Sequence, residues 1–183
     1  KFDPEGSGAI NGYPIGVYPR EDEPGVKAAV ASHREKYQPP EWFVPVTEET
    51  ADLRVSEHFR LREFIPNASL DKTVYFPFNY DLARMLEAIR AGLIEAGIKP
   101  PVIRIIRGYL SPYEADRLRR QGVSVLKWNR YQYGDAVLFI VDGNLDDKMD
   151  DVTGDGAIDI RDAKAVANVV RKVQDEVDMP GWL

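Results

Sequence analysis

A chain of 183 residues with a formal net charge of −6 is long enough to bury a core, and it lacks the positive charge that nucleic-acid binding requires. Its 44% hydrophobic and 10% aromatic residues are those of a folded globular protein, and no apolar run approaches the roughly 20 residues needed to span a bilayer. With no cysteine there are no disulfides and no thiolate metal sites. The first residue is Lys1, not methionine, so removal of a leader, either a signal peptide or an expression leader, is expected.

Residues 1–53 are rich in proline and glycine, in "DPEGSGAINGYPIGVYP" and "YQPPEWFVPV". Proline removes backbone donors and fixes φ, which predicts an extended arm with a short helix over Gly25 to Lys36. Tyr13, Tyr18, Trp42 and Phe43 are too many large apolar groups for a free tail, so the arm is expected to pack on a domain formed by residues 54–183. In "NYDLARMLEAIRAGLIEAG", Leu82, Met85, Leu86, Ile89 and Leu93 recur at steps of three and four, which predicts an amphipathic helix stopped at Gly97. "VIRII", Val102 to Ile106, reads as a strand. "SPYEADRLRRQG" reads as a helix with Ser111 as N-cap, Pro112 at the first position, Glu114 completing a capping box and Gly122 as the stop. "VSVLKW" and "DAVLFIV" read as strands. A last helix is capped near Asp159, with Ile160, Ala163, Val166, Val170, Val173 and Val177 as its apolar stripe. The expected class is α+β, with a small, mostly antiparallel sheet. No internal repeat is visible beyond two acidic loops.

"VSEHFRLREF", the long helix, "RGYLSPYEADRL" and "NRYQYGDAVLFIVD" together resemble the zinc D-alanyl-D-alanine carboxypeptidase family, whose fold the Hedgehog signalling domain shares. The likeness covers roughly Arg54 to the end of the chain. It implies a strand reading S-x-H-x-x-G-x-A-x-D that supplies zinc ligands, a stretch like S-G-Y-R-[ST] whose arginine faces the substrate, and a later segment with another histidine and the general base. Gly134 and Ala136 match the small residues, and Gly108, Tyr109, Ser111 and Pro112 match the second motif. The ligand and substrate positions do not match. Asn129 stands for serine, Tyr131 for histidine, Leu138 for aspartate and Leu110 for arginine, and the sequence ends at Leu183 before the last segment. Tyr109, Leu110, Tyr131 and Leu138 are therefore expected to outline a vestigial cleft.

Catalytic zinc needs about three ligands from histidine, carboxylate or thiolate and an open position for water. Only His33 and His58 are present, and neither lies in a paired spacing. No zinc is expected and no catalytic residue is assigned. Tyr109, Tyr113, Trp128, Tyr131 and Tyr133 read either as a recognition surface or as packing that fills the emptied site. Ser56, Ser111 and Ser124 lack a nucleophile setting, and Glu57 and Glu63 read as exposed carboxylates. Arg117, Arg119 and Arg120 read as a solvated helix face more readily than as a phosphate grip.

"DVTGDGAIDIRD" has the spacing of the twelve-residue calcium loop, with Asp151, Thr153, Asp155, the carbonyl of Ala157, Asp159 and Asp162 as ligands and Gly156 at the sharp turn. The short aspartate at the last position resembles dockerin-like loops. Just before it, Asp142, Asn144, Asp146, the carbonyl of Lys148 and Asp150 offer a second, overlapping set, with Asp147 where glycine is usual. Eight aspartates fall between Asp142 and Asp162, balanced within that stretch only by Lys148 and Arg161, so a cation is expected to relieve their repulsion.

The sequence thus predicts one calcium ion, or two, in an exported, non-catalytic domain, whether periplasmic, cell-surface or secreted. Its expected partner is a peptidoglycan peptide or another extracellular protein. Two alternatives stand beside this reading. One is an active zinc peptidoglycan peptidase whose ligands lie outside the expected motif or in a further C-terminal segment. The other is a calcium-dependent, dockerin-like assembly module with an exposed patch at Val169, Val170 and Val173.

Overall fold

The structure, a computed structural model, describes residues 8–18, 32, 37–66, 68–98 and 101–176. The helix expected over Gly25 to Lys36 (Ser32 apart), His33 and Val177 lie outside these residues. In chain order the regular elements are β1 (Ala9–Ile10), β2 (Tyr13–Pro14), β3 (Val44–Val46), β4 (Val74–Phe76), α1 (Tyr80–Glu95), β5 (Ile103–Arg107), α2 (Pro112–Arg120), β6 (Leu138–Val141) and α3 (Ile160–Glu176), with 3-10 turns at Leu61–Phe64 and Arg130–Tyr133. The class is α+β. The strands form three two-stranded sheets, β1–β2, β3–β4 and β5–β6, instead of one small sheet.

The chain divides into two compact units that alternate along the sequence. One takes the described residues of Lys1–Leu53 together with Arg60–Asn79 and Arg107–Val137; the other takes Arg54–Phe59, Tyr80–Ile106 and the described residues from Leu138 onward. The arm is thus an integral part of the first unit. The dipeptide Asn11-Gly12, both with positive φ, turns β1 back on β2, and Ile15 and Tyr18 beyond it are buried with Tyr133. Tyr13 and Phe43 pack against this cluster, whereas Trp42, expected as an anchor, is 82% exposed. Below the β3–β4 pair, Phe64 stacks on Phe76 at 6.3 Å between centroids and meets Phe78 edge-on at 5.4 Å.

Ser111 caps α2 by accepting the Glu114 amide at 3.2 Å, as expected. The return half of the capping box is absent from the bonds α2 makes, because the Glu114 carboxylate turns to Arg117 one helical turn on. The strand expected over Val123 to Trp128 does not form. Val123 and Leu126 are exposed there, and the Asn129 side chain donates to the Leu126 carbonyl, so β propensity finds neither a partner strand nor a face to bury.

In the second unit all five periodic residues of α1 are buried, and α1 packs on α3 through Val166, Val169 and Val173. The apolar stripe is shifted from the one expected, since Ile160 and Ala163 are exposed and Val169 is buried. Close approach of the two helices depends on Gly92, where a Cβ would lie 2.9 Å from Val169 Cγ1 and 3.0 Å from Val173 Cγ2.

Candidate functional site

The acidic segment Asp142–Asp162 closes the second unit between β6 and α3. Its second half has the backbone that the calcium spacing demands. Asp151 Oδ1 accepts the amides of Gly154 at 2.7 Å and Asp155 at 3.2 Å, and Oδ2 accepts that of Gly156 at 2.7 Å. Gly154 and Gly156 both lie in the left-handed region, at φ 72° and 85°. Asp155 Oδ1 then accepts the Ala157 amide at 3.0 Å. Asp162, in the first turn of α3, is fully buried and accepts the amides of Thr153 and Asp159 at 3.1 and 2.8 Å and the Thr153 hydroxyl at 3.0 Å.

The first half repeats this turn nine residues earlier. Asp142 takes the place of Asp151, accepting the amides of Asp146 and Asp147 at 3.0 Å each, and Asp146 accepts the Lys148 amide as Asp155 accepts that of Ala157. Leu145 and Asp147, at φ 62° and 66°, hold the left-handed positions that Gly154 and Gly156 hold in the second half. Asn144 Oδ1 accepts from the Asp146 amide and Asp150 Oδ2 from the Gly143 amide.

The counter-charges to these carboxylates are arginines. Arg161 pairs with Asp155 at 2.5 Å and with Asp159 at 2.7 Å. Arg104, from β5, pairs with Asp142 at 3.3 Å and also with Asp147. Within the segment itself Lys148 and Arg161 are the only cationic residues. Arg104 was missed because it lies 38 residues away from Asp142 and only β5–β6 pairing brings it near. Among the described residues, no group of three or more histidine, aspartate or glutamate side chains is gathered closely enough to hold a metal ion. The donor set of the 151–162 loop is all oxygen and suits a hard cation. Its side chains in this arrangement bond to backbone amides and to Arg161, so an ion would have to displace Arg161 from Asp155 and Asp159.

Arg161 holds the Asp159 carboxyl below the usual aspartate value of 3.8, and the amides of Asp159 and Thr153 do the same for Asp162. A carboxylate with a depressed folded pKa contributes stability above its unfolded value and loses it as pH falls through the folded one. In chelator, the melting temperature of the second unit is therefore expected to hold above pH 3.8 and to fall progressively below it. Circular dichroism of wild type and Asp162→Asn across this range checks the point, the variant giving the flatter profile.

In the first unit, the Leu110 amide donates to the Tyr131 carbonyl at 3.3 Å, and Tyr109 and Leu110 line a pocket of about 620 Å³. Tyr13, Tyr113, Glu114 and Arg117 are among its other walls. Burial pushes the Tyr109 hydroxyl pKa well up, so it stays a neutral phenol. Tyr131 lies in the 3-10 turn, with the Arg107 guanidinium 6.0 Å from its ring centroid, and Leu138 opens β6 in the other unit, 43% exposed. The expected aromatic surface is divided. Tyr109 and Tyr113 face the pocket, while Tyr133 is buried beside Tyr18 and Tyr37 and Trp128 meets Tyr37. Arg130 lies 4.8 and 4.6 Å from the ring centroids of Tyr37 and Tyr133, a cation–π arrangement that favours packing over recognition for this half.

His58 is held by Glu87 of α1, whose carboxylate accepts its backbone amide at 2.7 Å and lies 2.8 Å from its Nδ1. Glu63 accepts the Arg60 amide at 2.5 Å, and Glu57 is exposed. Arg117 pairs with Glu114, and Arg119 and Arg120 with Asp116, which is the solvated-face arrangement.

No family model matches this chain, and neither a curated protein nor a solved structure matches it.

Proposed function

We propose that the chain is a non-catalytic, calcium-stabilised exported domain that binds cell-wall material or a protein partner. The observation that carries the calcium part is the 151–162 loop, where the amides of positions four, five and six converge on Asp151 and the left-handed sixth position is glycine. The ion would be held by Asp151, Thr153, Asp155, the Ala157 carbonyl, Asp159 and Asp162. Its role would be structural, neutralising carboxylates that otherwise share one turn. The non-catalytic part rests on the resemblance to the carboxypeptidase family, in which tyrosine and leucine stand at ligand positions. The pocket beside Tyr109 and Leu110 is the place we assign to the partner, since its volume is that of a small-ligand site.

The chelator experiment tests this directly. Calcium at 100 times its dissociation constant would add about 2.7 kcal/mol, or roughly 5–10 °C in melting temperature for a chain of this size. EDTA should remove that increment, Asp155→Ala should mimic EDTA, and an unchanged melting temperature would refute the structural-calcium role. Stoichiometric zinc together with cleavage of a D-Ala-D-Ala peptide would favour the active-peptidase alternative. The assembly-module alternative needs an exposed patch among Val169, Val170 and Val173, whereas Val169 and Val173 are 8% and 4% exposed against α1 and Val170 is half-buried.

A further inference from the structure

Two turns of the same backbone, nine residues apart, would ordinarily be given the same ligand. Their chemistry differs at both left-handed positions. In the 151–162 loop the sixth residue is Gly156, which takes φ 85° without strain. In the 142–150 loop it is Asp147, at φ 66°, and the fourth residue is Leu145, at φ 62°. Left-handed backbone is unfavourable for residues with a side chain, most of all for leucine, so something outside the loop must hold this turn. Arg104 does so. Its guanidinium bridges Asp142, which is fully buried, and Asp147, which is 71% exposed. The bridge exists because the sixth residue is aspartate, as a glycine there would offer Arg104 nothing.

The two arginines are not equivalent. Arg161 belongs to its own loop, is 57% exposed, and pairs with carboxylates that are themselves partly exposed, so it can leave at little cost. Arg104 is anchored in β5, next to Ile103 and Ile105, which are buried. Asp142 is tied to the residue just before this strand, since its backbone amide donates to the Val102 carbonyl at 2.9 Å. Breaking a pair that includes a fully buried carboxylate leaves that charge uncompensated, which is far costlier than opening a surface pair.

We infer that Arg104 takes the place of a cation in the 142–150 loop, so that this loop is metal-independent and the chain takes one calcium ion, in the 151–162 loop, and no second. The stoichiometry half rests on the calcium reading above; the staple half does not. The full chain is compared with Arg104→Met, which keeps the aliphatic stem but not the charge, and with Asp147→Gly. In EDTA, Arg104→Met is expected to melt several degrees below wild type, and combining it with Asp147→Gly is expected to cost less than the sum of the two. Titration calorimetry with calcium chloride is expected to give one equivalent for wild type. A wild type that takes two equivalents, or an Arg104→Met variant that melts like wild type in EDTA, overturns the inference. If wild type takes no calcium while Arg104→Met still melts low in EDTA, the calcium reading fails and the staple stands. If Arg104→Met does not fold, Arg104→Gln, which stays polar but carries no charge, replaces it, and a melting temperature equal to that of wild type in EDTA again overturns the inference.

Discussion

Phe64→Ala is expected to be the most damaging single truncation in the first unit, at about 3–5 kcal/mol. The side chain is fully buried against Phe76 and Phe78, so its removal leaves a cavity that these two rings cannot both collapse into. The residue also acts through its backbone. Its carbonyl accepts the Tyr109 amide at 2.8 Å, and Gly108 packs directly on the same carbonyl. Collapse around position 64 should therefore shift Tyr109 and Leu110 and reshape the pocket that they line. Chemical denaturation gives the stability change, with the slope against denaturant unchanged if the transition stays cooperative. Phe64→Leu, which refills most of the volume, should recover much of the loss.

Gly134→Ala should cost nearly as much for a different reason. Gly134 ends the 3-10 turn at φ 70°, and a Cβ there would overlap the Pro77 carbonyl oxygen. Left-handed backbone alone costs an L-residue about 1–2 kcal/mol, and forcing an extra methyl against backbone adds about 1–3 kcal/mol more. The melting temperature of the first unit should fall by roughly 5–15 °C, read by differential scanning calorimetry. Gly122→Ala is the control. Gly122 also has positive φ, but a Cβ there meets nothing within 4 Å, so only the conformational part of the penalty applies.

Gly134, together with Gly108, explains part of what the sequence made legible. Gly108 and Gly134 carried the resemblance to the carboxypeptidase motifs, and each has a local reason to be glycine, a backbone carbonyl pressed against its α-carbon. Packing alone therefore accounts for a glycine at both positions. The α1 periodicity and the Ser111 cap were readable because both depend on neighbours three and four residues away. The turn at Asp151 was readable for the same reason, since its hydrogen bonds span three to five residues. What could not be read is tertiary. Arg104 is distant in sequence from the carboxylates that it holds, and nothing in "VSVLKW" announces that no partner strand awaits it. Nor does the proline-rich arm declare that it shares a unit with two later stretches of chain.

The offset of nine residues between the two acidic turns sets a rule for how this segment can change length. The left-handed positions, the aspartate that gathers the amides and the aspartate four residues after it all recur in step. Adding one whole period between Asp150 and Asp151 would stack another coil of the same kind and leave Asp162 at the start of its helix. An insertion of eight or ten would leave each turn's own hydrogen bonds in place, since they span no more than five residues, but would add chain that does not repeat the turn. Lengthening by one whole period is therefore expected to be better tolerated than an insertion of eight or ten, a difference that thermal denaturation of the insertion variants would show.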